Sequence, residues 1–150
     1  MNADGSKTET VTTLSGDGGT QTSKTVLTTS DDGLTKTQST YLGDHTTADA
    51  VVTDAITFAG DGSTVETVSA YSGSGALNSK SVATKSGNGL SSVSTEDIDG
   101  NGTNDRQTSI SVNTTGAVVT AVSTFGSSGA LTSKSTTTVS GERSFNLGCH

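Results

Sequence analysis

A chain of 150 residues with 28% hydrophobic and 3% aromatic side chains is long enough for one domain but too poor in apolar surface for a thick single core. A formal net charge of −7 excludes the basic patches that nucleic acid or an anionic membrane surface requires, and leaves cations as the better-suited partners. No apolar run of about 20 residues is present for membrane insertion, and the single cysteine, Cys149, rules out an internal disulfide.

Proline is absent and glycine numbers 19, so reversals must come from glycine with Asp, Asn or Ser. In chain order these signals are Asp4-Gly5, Gly16-Asp17-Gly18-Gly19, Asp32-Gly33, Gly43-Asp44, Gly60-Asp61-Gly62, Gly73-Ser74-Gly75, Gly87-Asn88-Gly89, Gly100-Asn101-Gly102, Thr115-Gly116 and Ser127-Ser128-Gly129. Between them run Thr-, Ser- and Val-rich segments. β-branched residues lose χ1 freedom in a helix and Ser competes for its backbone, so the segments read as strands. Asp-Gly and Asn-Gly predict two-residue hairpins of type I′, in which both central residues take positive φ. The expected fold is all-β: repetitive short antiparallel strands with glycine turns, in an elongated sheet or β-solenoid-like array. A β-sandwich built from the same meander is the alternative.

The segments repeat. Lys24, Lys80 and Lys134 fall at steps of 80 − 24 = 56 and 134 − 80 = 54, and Ser-Gly-Ala-Leu occurs at both 74–77 and 128–131. The β-repeat region, 1–141, divides into units at about 4–60, 61–114 and a partial 115–141, followed by an atypical tail, 142–150, in which Phe145 and Leu147 are candidate caps. Met1-Asn2 runs directly into repeat sequence, as expected of a piece of a longer chain or of a chain whose export signal lies elsewhere. Equivalent apolar positions are Val11, Val68 and Val122; Leu14, Tyr71 and Phe125; Val26 and Val82; Leu34 and Leu90; Leu42 and Ile98; Ile56 and Ile110; and Phe58 and Val112. These are expected to point inward. The three recurring lysines read as edge-strand charges that discourage aberrant pairing.

One segment has an identifiable chemistry. Asp97, Asp99, Asn101 and Asp105 stand at positions 1, 3, 5 and 9 of a loop, with Gly102 at 6 and the Thr103 carbonyl at 7. Alternate residues of a tight loop direct oxygens at a common centre, which is the ligand logic of a hard-cation site and suits Ca²⁺. Thr108 stands at position 12, where an EF-hand has a bidentate Glu, so the expected site is weak, with Kd roughly 10⁻⁴–10⁻³ M. The first unit aligns Tyr41, Gly43, His45 and Asp49 with these positions and lacks three of the four ligands. It is expected to be silent, which makes the ion an accessory clamp.

The segments Asn2-Ala-Asp-Gly-Ser-Lys-Thr-Glu-Thr-Val11, Ser23-Lys24-Thr25-Val26, Ser30-Asp-Asp-Gly-Leu34 and Asp97-Ile-Asp-Gly-Asn-Gly-Thr-Asn-Asp105 resemble the tandem units of long secreted bacterial repeat proteins of the haemolysin-type, RTX-like calcium-binding group. The resemblance is one of repeat style. It implies a cell-surface or extracellular role in adhesion, matrix or filament building. The nonapeptide Gly-Gly-x-Gly-x-Asp is not present, so the parallel β-roll is not carried over.

Catalysis is not expected: His45 lies in the degenerate loop, and Cys149-His150 form a terminal pair. The functional expectation is an extracellular structural repeat protein, an adhesin, matrix or filament subunit, that self-associates through strand edges, with a glycan or surface component as a further partner. The alternatives are an ice- or glycan-binding β-repeat module, suggested by Thr8-Glu-Thr10, Thr20-Gln-Thr22 and Thr35-Lys-Thr37, and, more remotely, a non-catalytic repeat domain of a secreted enzyme or toxin.

Overall fold

The structure, a computed structural model, describes residues 1–140. Phe145, Leu147, Cys149 and His150 lie outside the described residues. Ten strands follow one another: β1 (Lys7–Leu14), β2 (Gln21–Thr29), β3 (Thr35–Leu42), β4 (Ala50–Phe58), β5 (Thr64–Ser72), β6 (Leu77–Lys85), β7 (Ser91–Asp97), β8 (Arg106–Val112), β9 (Val118–Phe125) and β10 (Leu131–Val139). They form one antiparallel sheet in strict sequence order, β1 to β10. The elongated sheet is the expectation that holds. Among the described residues no second layer covers it, so this region is neither a sandwich nor a coil of solenoid turns.

A single layer has no inside. The chain exposes 9876 Å², against about 7,000 Å² for a compact monomer of this mass. Ala117 is the one buried hydrophobic residue among those described. The apolar positions expected to point inward therefore divide between two open faces, because directly paired residues share a face and side chains alternate along a strand. Val26, Val82, Tyr71 and Phe125 fall on the face of Lys24 and Lys80, whereas Val11, Val68, Val122, Ile56 and Ile110 fall on the opposite face. Val11 is 68% exposed and Phe58 65%. The equivalence between repeats is visible in the register, but burial does not follow from it.

The turns also differ from expectation. Among the described residues none other than glycine has positive φ, so type I′ turns do not form there. In Ser30-Asp31-Asp32-Gly33 the Gly33 amide donates to the Ser30 carbonyl (3.0 Å), and Gly33 alone is left-handed, at φ 74°. The Asp32 carboxylate accepts the Leu34 amide at 2.9 Å and the Ser30 hydroxyl at 2.6 Å. Ser15-Gly-Asp17-Gly18 and Ser86-Gly-Asn88-Gly89 repeat this scheme. An Asx acceptor fixes the turn from its side chain and lets the next glycine take the strained conformation, so Asp or Asn never has to adopt it.

The lysine reading is corrected as well. Lys24 and Lys80 sit on β2 and β6, each flanked by strands on both sides, and only Lys134 lies on an edge strand. Lys24 opposes Tyr41 and its ammonium stands 4.1 Å from the ring centroid, a cation–π contact; Lys80 opposes Asp97. The position accepts a neighbouring strand when that strand offers an aromatic ring or a carboxylate.

Candidate metal centre

Along one side of the sheet, short turns alternate with two longer loops: 43–49 joins β3 to β4, and 98–105 joins β7 to β8. Loop 98–105 is built around Asp97, the last residue of β7, which is only 5% exposed. Its Oδ1 accepts the Gly100 amide at 2.7 Å and its Oδ2 the Gly102 amide at 2.8 Å. Asp105 Oδ2 closes the loop by accepting the Ile98 amide at 2.7 Å, while the Asp105 amide donates to the Glu96 carbonyl. The positive φ of Gly100 and Gly102 allows two amides to turn toward one carboxylate.

The fold brings three of the expected ligands together. Asp97, Asp99 and Asp105 each place a carboxylate oxygen within 4.8 Å of the others. Asn101 and Thr103 are hydrogen-bonded beside the trio. The Asn101 amide nitrogen donates to Asp99 Oδ2 at 3.0 Å, and Asn101 Oδ1 accepts the Thr103 amide at 2.7 Å. Among the described residues no Lys or Arg forms an ion pair with the trio; the nearby Arg106 pairs with Glu96 across the β7–β8 ladder. Three carboxylates with oxygen lone pairs to spare and no ion-paired cation make a donor set that fits a hard divalent ion.

Loop 43–49 has the same frame with a different filling. The Leu42 amide donates to Asp49 Oδ2 at 2.7 Å and the Asp49 amide donates to the Thr40 carbonyl, matching Ile98, Asp105 and Glu96 one unit later. His45, which stands where the second unit has Asn101, places Nδ1 2.9 Å and 3.1 Å from the two Asp49 oxygens. The Leu42 amide, with the His45 ring adding to it, holds the Asp49 carboxyl below its ordinary range. His45, Asp49 and Gly73 line a shallow surface groove on this side of the sheet.

Two features of the site have no counterpart in the loop's own residue spacing. A Cβ on Gly100 would fall 2.6 Å from the Leu77 carbonyl carbon and closer still to its oxygen, so loop 98–105 rests directly on the start of β6. Charge is also unevenly placed: every described Lys and Arg sits on a strand, whereas Asp4, Asp17, Asp31, Asp32, Asp44, Asp49, Asp61, Asp99 and Asp105 occupy turns and loops, and Glu9, Asp54, Glu66, Glu96 and Asp97 lie on strands. No family model, curated protein or solved structure matches the chain.

Proposed function

We propose that this chain is a non-catalytic structural module of an extracellular or cell-surface assembly, an adhesin, matrix or filament element whose work is to be an extended scaffold. The observation that carries the reading is the single-layer sheet whose faces and two edge strands are open among the described residues. Such a surface suits lateral contact with other strands or a polar surface component and does not suit enclosure of a small substrate. Asp97, Asp99 and Asp105 would hold one Ca²⁺, with Asn101 and the Thr103 carbonyl at its margin. The ion would neutralise the carboxylates that meet there and fasten loop 98–105 to the sheet. The extracellular placing rests on the resemblance of the repeats.

A second reading, an ice- or glycan-binding face, has one observation in its favour. Thr8, Thr28, Thr37, Thr53 and Ser69 are directly paired in turn, a row of hydroxyl residues crossing β1 to β5 on one face. Lys80 ends the row. Negative-stain images and sedimentation of the purified chain at rising concentration separate the two. Fibres or ribbons support the scaffold, and a monomer at every concentration with measurable thermal hysteresis supports the alternative.

A further inference from the structure

Both ends of the sheet are exposed strands: all eight residues of β1 and all nine of β10 are exposed; on β1, Lys7 and Glu9 pair with each other, and Asn2 reaches the outward side only at its start, bonding the Ser6 carbonyl and the Thr8 hydroxyl. Natural sheets blunt such edges with charge, proline or bulges along the strand. Here proline is absent and the register shifts lie only at one end of each strand, between Thr13 and Leu14 and between Leu131 and Ser133. Lys134 is no guard either, since the equivalent Lys24 and Lys80 have a strand paired on the corresponding side.

The backbone shows which groups are free. In an antiparallel sheet alternate residues direct both N–H and C=O to one neighbour or the other. The Phe125 amide donates to the Asp105 carbonyl, so Phe125, Ser123 and Ala121 face β8, and their alternates face β10. Ser133, Ser135 and Thr137 are thereby used, and Lys134, Thr136 and Thr138 turn their backbone groups outward. The Gly43 amide donates to the Thr22 carbonyl, so Lys24, Val26 and Thr28 face β3. The β1 residues that pair with them, Thr12, Thr10 and Thr8, therefore point outward. Register through the whole sheet places both outward sets on the same face, that of Lys24 and Lys80.

We infer that β10 of one copy takes β1 of the next as an eleventh strand, antiparallel, with Thr12 opposite Lys134, Thr10 opposite Thr136 and Thr8 opposite Thr138. This rests on the scaffold reading and names its partner as a second copy of the chain. The register is the one β1 already adopts with β2, where Thr12 opposes Lys24. It sets Val11 against Ser135 and Glu9 against Thr137, and brings no like charges together. Pairing two β10 edges over their full length would instead put Lys134 diagonal to its twin, and matching two β1 edges in the required parity leaves part of each strand uncovered. A heterologous contact of this kind builds an open filament wherever its rotation does not close into a ring. Each copy advances it by ten strands, about 48 Å.

The test uses the full chain carrying Cys149→Ser. Val11→Cys and Ser135→Cys are made singly and together, at exposed positions. Residues 11 and 135 would form a non-hydrogen-bonded pair with Cα atoms about 4.5 Å apart, within disulfide reach. Mild oxidation of the double variant is expected to give a ladder of disulfide-linked oligomers, and a mixture of the two single variants mainly dimers that contain one of each. Dimers of V11C alone or of S135C alone would overturn the inferred polarity while leaving self-association in place. Association in sedimentation without any cross-link would place the contact on another surface and also overturn it. A monomer at all concentrations would remove both this inference and the scaffold reading.

Discussion

Three glycines separate two reasons for having no side chain. Gly102 has φ +85° with open space around it, Gly87 has an ordinary φ but lies against the β4–β5 turn, and Gly100 combines φ +74° with contact on Leu77 and Asn78. Left-handed backbone costs an L-residue about 1–2 kcal/mol, and replacing Gly by Ala recovers about 0.4–1 kcal/mol by restricting the unfolded chain. Gly102→Ala should therefore lose only about 0.5–1 kcal/mol. At Gly87 a Cβ would stand 2.9 Å from the Gly62 carbonyl carbon and closer to the Asp61 oxygen, both backbone atoms of a hydrogen-bonded turn. Overpacking of this kind costs about 1–3 kcal/mol. Gly100→Ala bears both penalties, about 2–4 kcal/mol, because shifting the loop also weakens the Gly100 amide bond to Asp97. For a chain of this length each kcal/mol moves Tm by about 2–4 °C. Urea and thermal unfolding of the three variants should rank them Gly102, Gly87, Gly100 in order of increasing damage. If Gly100→Ala and Gly102→Ala fall within about 0.5 kcal/mol of each other, the close approach of loop 98–105 to β6 is not a determinant of stability.

Calorimetric titration with Ca²⁺ should show one site with Kd of roughly 10⁻⁴–10⁻³ M, lost in Asp99→Ala, whose exposed carboxylate organises less of the loop than Asp97 does. At 10 mM Ca²⁺ such a site would stabilise the wild-type chain by about 1.4 kcal/mol or more, and an unchanged unfolding midpoint would remove the ion from the account. Asp54 Oδ1 is buried without a hydrogen-bond partner, while the equivalent position in the second unit is Thr108. Asp54→Thr should thus gain about 1 kcal/mol in urea, and a loss would show that the carboxylate has a role its surroundings do not reveal. The carboxyls of Asp4, Asp17, Asp32 and Asp61 are held below their ordinary range, chiefly by neighbouring serine hydroxyls. Folded values below the unfolded ones mean that their contribution is present above about pH 4 and is lost as pH falls through the lowered values, so the urea midpoint should decline from about pH 4 toward pH 2. A midpoint that rises over that range would contradict the sign.

The strands were legible because little competes with the β reading in runs such as Lys7-Thr8-Glu9-Thr10, and the turns because glycine marks each one. Turn type was not legible from Asp-Gly alone. The pair is equally compatible with type I′ and with an Asx-stabilised turn, and the choice depends on the Ser two residues before, which supplies the extra hydroxyl. Spacing along the loop placed Asp97, Asp99 and Asp105 together, because a ligand pattern of alternate residues needs only local geometry. The hydrogen bonds of Asn101, to Asp99 and from the Thr103 amide, depend on which oxygens the loop amides claim first. Burial was the least legible property. Val11, Val68 and Val122 recur as a buried set would, but recurrence records position in a unit and says nothing of whether a second layer lies above it.

Small-angle scattering from the dilute monomer tests the central claim most directly, since a sheet with no second layer has one dimension much smaller than the others. Ten strands predict a plate about one sheet thick, near 10 Å, and more than 40 Å across the strands. A distance distribution characteristic of a compact globule, with a radius of gyration near 15 Å and a thickness of two packed layers, would contradict it.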